Sequence, residues 1–193
     1  MFGFFKRSGS KIVVVASLNA RLQPMDRGEL EDALDAFMEK QKHGMRVVGG
    51  GTLQASSGEI QQCDIEIEVD DPTDAKLTLL TKVLESMLAP VGSILHIPDQ
   101  QRSVNFGRQH GLAIYVNGTD LSAAVYETCD INHVVAEFGR LLEAEGMVAS
   151  NWQGPQNTAL YIYGSDFDTM LSRLKPFIES YPLLERCRIE RIA

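Results

Sequence analysis

The residues best placed to do chemistry in this chain are carboxylates in a row. Asp64, Glu66 and Glu68 alternate with Cys63, Ile65, Ile67 and Val69, and Asp70 and Asp71 extend the row. Period-two side chains lie on opposite faces of a strand, so the carboxylates share one face and the apolar residues the other. Such a row is either a solvated sheet face or a surface that meets a basic partner. Carboxylates in line also attract a hard cation, but a strand surrounds them with no ring of carbonyl oxygens, so no metal is expected.

Two further groups stand out. Gly49-Gly50-Gly51-Thr52 falls in a strand expected at a sheet edge, where glycines signal a bulge or the close approach of another backbone. Gly50 and Gly51 are therefore candidates for contact with a partner strand. A phosphate cradle needs a Lys and a following helix, whereas these glycines run into a hairpin. The second group is aromatic: Tyr115, Trp152, Tyr161 and Tyr163. Tyr161 and Tyr163 share one face of a strand. Aromatics with polar handles are what protein interfaces use, and they also stack bases on RNA-binding sheets.

The charge balance decides between those two. The chain has 193 residues and a formal net charge of −8. Sequence-independent binding to nucleic acid is driven by Lys and Arg neutralising phosphates, so nucleic acid is excluded as the expected partner. An acidic protein suits a basic protein partner, since opposite charge steers encounter. The apolar runs fall far short of the ~20 residues of a membrane helix. The odd count of three cysteines, Cys63, Cys129 and Cys187, without local pairing or metal spacing, fits reduced thiols in a cytoplasm. His43, His96, His110 and His133 are scattered and form no pair with Asp, Ser or Cys in sequence. No cofactor and no catalytic residue are expected.

The elements that must position these groups form one pattern written twice. Residues 1–10 read as an N-terminal arm. A first unit spans 11–98: a strand at Lys11–Leu18 that is near-continuously apolar and expected to be buried on both faces, and a helix opened by an Asp26/Glu29 capping pair. A hairpin follows, with strands Met45–Gln54 and Ile60–Asp70 around Ala55–Glu59, then a helix after Asp71-Pro72 and a strand to Ile97. Residues 99–109 read as a polar, irregular linker. The second unit, 110–193, repeats the order, with a loop at 117–129, a helix capped by Asp130 and a last helix in which Pro176 should produce a kink or an early stop. Strand–helix–strand–strand–helix–strand is the ferredoxin-like unit. The expected fold class is α+β: two ferredoxin-like βαββαβ units in tandem, antiparallel sheets with helices on one face. The other face of each sheet is then open, unless the two units bury it together.

Asp26-Arg27-Gly28-Glu29, Gly49–Thr52, Cys63–Val69, Thr128–Asn132, Trp152–Pro155 and Ala159–Tyr163 resemble an uncharacterised bacterial family of small stand-alone tandem ferredoxin-like proteins. That family is in turn similar to toxin-immunity proteins, which block a secreted antibacterial toxin in the producer's cytoplasm. The resemblance implies a non-enzymatic toxin inhibitor whose partner is a basic toxin domain. Asp64, Glu66, Glu68, Gly50, Gly51, Tyr115, Trp152, Tyr161 and Tyr163 would supply its contacts. Two alternatives stay open. One is a small-ligand sensor binding between the units. The other is a hydrolase like the acylphosphatases, which use an Arg in the loop after the first strand; Arg21 and Arg27 fall there, but Pro24-Met25 and a missing glycine-rich loop break that pattern.

Overall fold

The computed structural model describes residues 10–193, so the expected N-terminal arm lies outside the described residues apart from Ser10. The first unit contains β1 (Lys11–Leu18), α1 (Pro24–Gln41), β2 (Met45–Gln54), β3 (Ile60–Asp70), α2 (Asp74–Met87), β4 (Ser93–Ile97) and β5 (Arg102–Phe106). The second contains β6 (His110–Asn117), α3 (Ala123–Thr128), α4 (Ile131–Leu142), β7 (Gly146–Gln153), β8 (Asn157–Gly164), α5 (Phe167–Ser180) and β9 (Arg188–Arg191). The sheet orders are β2-β3-β1-β4-β5 and β7-β8-β6-β9. Without β5, the first order matches the second strand for strand, and both are the antiparallel ferredoxin-like arrangement. The fold is therefore α+β, with two ferredoxin-like units in tandem.

Each sheet has its helices on one face. In the first unit Val14, Ala16, Leu18, Ile65 and Ile67 pack with Leu34 and Met38 of α1 and Leu77, Leu80 and Leu84 of α2. In the second, Leu112, Ile114, Leu160 and Ile162 pack with Val134, Phe138 and Leu142 of α4 and Met170 and Leu174 of α5. The hairpin of β2 and β3 forms because strict alternation on β3 gives it one dry face, and Gly58 (φ +83°) turns the chain between the strands.

Several expectations are corrected. β1 is central, between β3 and β4, but only one of its faces is buried: Val13, on the other, is 42% exposed. Its β-branched run reflects strand preference rather than two-sided burial. β6 and β8 are the strands with both faces covered. Residues 102–106, expected to be linker, pair antiparallel with β4 and extend the first sheet. Asp26 does not cap α1. The helix starts at Pro24, whose missing N–H costs nothing at a first position, and Asp26 lies in its first turn. The helix after Asp71-Pro72 starts at Asp74 rather than at Pro72 itself, and Thr73 caps it by accepting the Lys76 N–H. Part of the expected 117–129 loop is helical as α3, and α5 continues through Pro176 to Ser180.

Candidate functional site

The open faces of the two sheets have opposite fates. On the second sheet, Ala113, Tyr115, Ala159, Tyr161 and Tyr163 are buried and belong to the core of the first unit. They pack not on the first sheet's open face but on the loop after β1 and the turn between β2 and β3. This contact is polar as well as apolar. Glu59 Oε1 accepts from Arg21 Nη1 (2.6 Å), Tyr115 Oη (2.6 Å) and Tyr161 Oη (2.8 Å). The Arg21 backbone N–H donates to Tyr163 Oη at 2.7 Å, and its guanidinium lies 5.5 Å from the centre of the Tyr161 ring. Beside it, Ser150 Oγ donates to Asp26 and accepts from the Gln23 N–H.

Electrostatics match this geometry. Burial, reinforced by the Glu59 carboxylate, pushes the Tyr115 hydroxyl above its ordinary range and the Tyr161 hydroxyl well above it. Burial does the same to Tyr163. For Arg21 burial disfavours the charge, but Tyr115 and Glu59 outweigh it and hold the cation. Kept neutral, Tyr115 and Tyr161 donate to Glu59 while Tyr163 accepts from Arg21, and the three tie the units together. The expectation that Tyr115, Tyr161 and Tyr163 form an outer contact surface is corrected accordingly. Trp152, half-buried, covers Gly154 so closely that a Cβ there would sit 2.1 Å from the ring, and it too packs on the first unit's core. Arg21, the residue an acylphosphatase-like reaction would need, is committed to Glu59 and Tyr115 rather than facing an open anion site. Arg27 lies 3.0 Å from Glu31 and donates to Thr52 Oγ1.

The first sheet's open face is the exposed one. The β3 carboxylates line it as expected, beside Val13 and Val15 of β1. They are unequal. Glu68 receives Lys11 (3.0 Å) and Arg46 (2.9 Å), and these hydrogen bonds hold its carboxyl below the usual range. Asp70 also meets Lys11, at 3.2 Å. Among the described residues, the Asp64 carboxylate accepts only from Gln62 and Glu66 has no ion-pair partner. The uncompensated charge is therefore at Asp64 and Glu66.

The glycines serve this same edge. β2 is an edge strand with a bulge between Val47 and Gly49. Arg27, Glu31 and Asp35 of α1, one turn apart, run along it, and Asp35 accepts the Val47 N–H at 2.7 Å. A Cβ on Gly50 would lie 2.1 Å from Glu31 Oε1 and 2.7 Å from the Asp64 carbonyl, whereas one on Gly51 would meet nothing within 4 Å. A carboxylate thus stands where a cradled phosphate would have to lie. Helix α1, rather than a partner strand, is what approaches Gly50. Among the described residues no group of three or more His, Cys, Asp or Glu could hold a metal ion, and no helix is long and apolar enough to cross a membrane.

Glu59 carries the contact between the units, yet as the last residue of a turn it gives no signal in the sequence. Its role depends on a pairing with Tyr115 and Tyr161 that only the tertiary fold creates.

No family model matches the chain, and no curated protein matches it. Solved structures that resemble it include a putative monooxygenase from Fusobacterium nucleatum subsp. nucleatum ATCC 25586, at 11% identity and a TM-score of 0.33, covering 95% of this chain and 91% of that one. A second is the first two RRM domains of the yeast poly(U) binding protein Pub1, at 9% identity and a TM-score of 0.25, covering 93% and 99%. A third is an unknown protein from Galdieria sulphuraria, at 14% identity and a TM-score of 0.28, covering 94% and 98%. Likenesses this distant carry no argument about activity, and the assignment of the fold rests on the strand orders above.

Proposed function

We propose that this protein is a non-enzymatic binding protein of the immunity type, which occludes a basic toxin domain in the cytoplasm of a bacterial producer. The observation that carries the reading is the open face of the first sheet. There Asp64 and Glu66 stand uncompensated beside the apolar Val13 and Val15, while the matching face of the second sheet is closed. Uncompensated carboxylates steer a basic partner toward the face, and the apolar strand beside them gives it area to bury.

The test is titration calorimetry with the product of the adjacent gene. Tight binding is expected, weakened at least about tenfold, or ~1.4 kcal/mol, by the double substitution Asp64→Asn, Glu66→Gln. An adjacent product that does not bind, or that binds the double variant equally well, removes the reading. The sensor alternative places a ligand between the units. The groove at that seam holds about 240 Å³. Small-molecule sites usually offer about 300–1,000 Å³, which favours a protein partner.

A further inference from the structure

The groove at the seam is a surface in its own right, separate from the open sheet face. Leu22, Leu30, Met87 and Leu88 of the first unit and Met147 and Ala149 of the second line it, with Asp26 and Glu29 at its rim. Met147 stands opposite Tyr163 in the β7–β8 register, on the face turned toward the first unit, yet it is 54% exposed. Met25, one turn before Glu29 on α1, is 77% exposed. Large apolar side chains left this open beside a groove mark a surface built for contact. Methionine suits such a surface because its flexible, polarisable chain fits partners of varied shape.

Charge selects the partner. The groove lining contains two carboxylates and no Lys or Arg. Neither Asp26 nor Glu29 forms an ion pair among the described residues; Asp26 accepts the Ser150 hydroxyl, and the neighbouring Arg27 turns to Glu31. The cavity is below the size of a small-ligand site but suits one or two anchoring side chains. We propose that the seam groove docks a basic amphipathic helix of a protein partner. Apolar residues of that helix enter between Met87, Met147 and Leu30, and its Lys or Arg residues meet Asp26 and Glu29. This is helix-in-groove recognition, read through anchors one turn apart. It uses residues of both units, so it requires the seam to be intact.

The experiment uses the full chain and a fluorescein-labelled synthetic helix of about five turns, with Leu on one face and Lys on the other. A permuted peptide of the same composition, without the apolar face, is the control. Fluorescence anisotropy is expected to show binding of the amphipathic peptide and at least about tenfold weaker binding of the permuted one. Met147→Gln and Glu29→Lys are each expected to weaken binding severalfold, with circular dichroism unchanged because both side chains are at the surface. Asp64→Asn with Glu66→Gln is expected to leave it unchanged, which separates this proposal from the sheet-face reading. Equal binding of both peptides, no binding, or a loss that follows only the Asp64 and Glu66 substitutions would overturn it.

Discussion

At the scale of single residues, two adjacent glycines carry different loads. Gly50 has no room for a methyl group, since the Asp64 carbonyl is fixed backbone and Glu31 lies against it. Gly51 has room and an ordinary φ. Gly50→Ala should therefore destabilise by about 1–3 kcal/mol as an overpacked site. Gly51→Ala should be neutral or stabilise by up to about 1 kcal/mol through lost backbone freedom in the unfolded chain. Urea midpoints would check both, and equal effects would refute the assignment. Glu31 behind Gly50 gives a signed pH effect. Burial raises its carboxyl above the usual range against the pull of Arg27, whose Nε is close but not aligned to hydrogen-bond. A carboxyl with a raised folded pKa stabilises at acid pH, and that contribution is lost as pH rises through the folded value. Wild type should lose stability relative to Glu31→Gln as pH climbs from about 4 toward neutrality. A parallel pH dependence of the two melting temperatures would contradict this. Cys63 is simpler: burial lifts its thiol to about 12, so it should resist thiol reagents until the chain unfolds.

At the scale of elements, legibility follows how locally each element is determined. The hairpin of β2 and β3 was readable to the residue because alternation, a polar turn and Gly58 all sit within the segment. β5 was not, because Arg102-Ser-Val-Asn-Phe106 turns only Val104 and Phe106 toward the core and takes its strand shape from β4. The start of α1 is not legible, because Pro24 opens the helix without any side-chain cap, leaving Asp26 free to meet Ser150 of the other unit. The open face of β1 was hidden for a related reason, since β-branched residues suit a strand whether or not both faces are covered. The exit from β5 depends on Gly107, with φ +103° and the Pro90 carbonyl only 1.8 Å from where a Cβ would stand. Gly107→Ala combines backbone strain of about 1–3 kcal/mol with that clash. It should therefore cost more than Gly50→Ala, and hydrogen exchange should show early opening of Arg102–Phe106. Retained protection there would argue that β5 does not depend on this turn.

At the scale of the whole molecule, the tandem pattern leaves two outcomes for the second face of each sheet, open or buried by the other unit, and the fold realises one of each. The second sheet is sealed by Glu59, whose carboxylate gathers Arg21, Tyr115 and Tyr161 from both units. No spacing in the sequence links residues 21, 59, 115 and 161, because only the packing of the two units brings them together. Because the second sheet's inner face belongs to the first unit's core, the two units should unfold together, with coincident transitions by fluorescence and far-ultraviolet circular dichroism. Glu59→Ala separates the two signals. It strips the acceptor from two buried tyrosine hydroxyls and the anionic partner from Arg21, whose side chain is only 23% exposed and keeps just the Tyr115 hydroxyl. Unsatisfied buried groups cost about 1–3 kcal/mol each, discounted here because solvent reaches the pair, so about 2–4 kcal/mol is expected in total. That loss falls on the seam rather than on either helical core. Trp152, the single tryptophan, lies at the seam against Gly154 and beside Gly58. Its emission should shift to the red at lower urea than the loss of helix in Glu59→Ala, with the two midpoints apart, whereas in wild type they coincide. Glu59→Gln keeps an acceptor for the tyrosines and should lose less. If the midpoints stay together in Glu59→Ala, the carboxylate does not hold the units, and the apolar contact of Tyr163, Ala113 and Ala159 alone closes the second sheet.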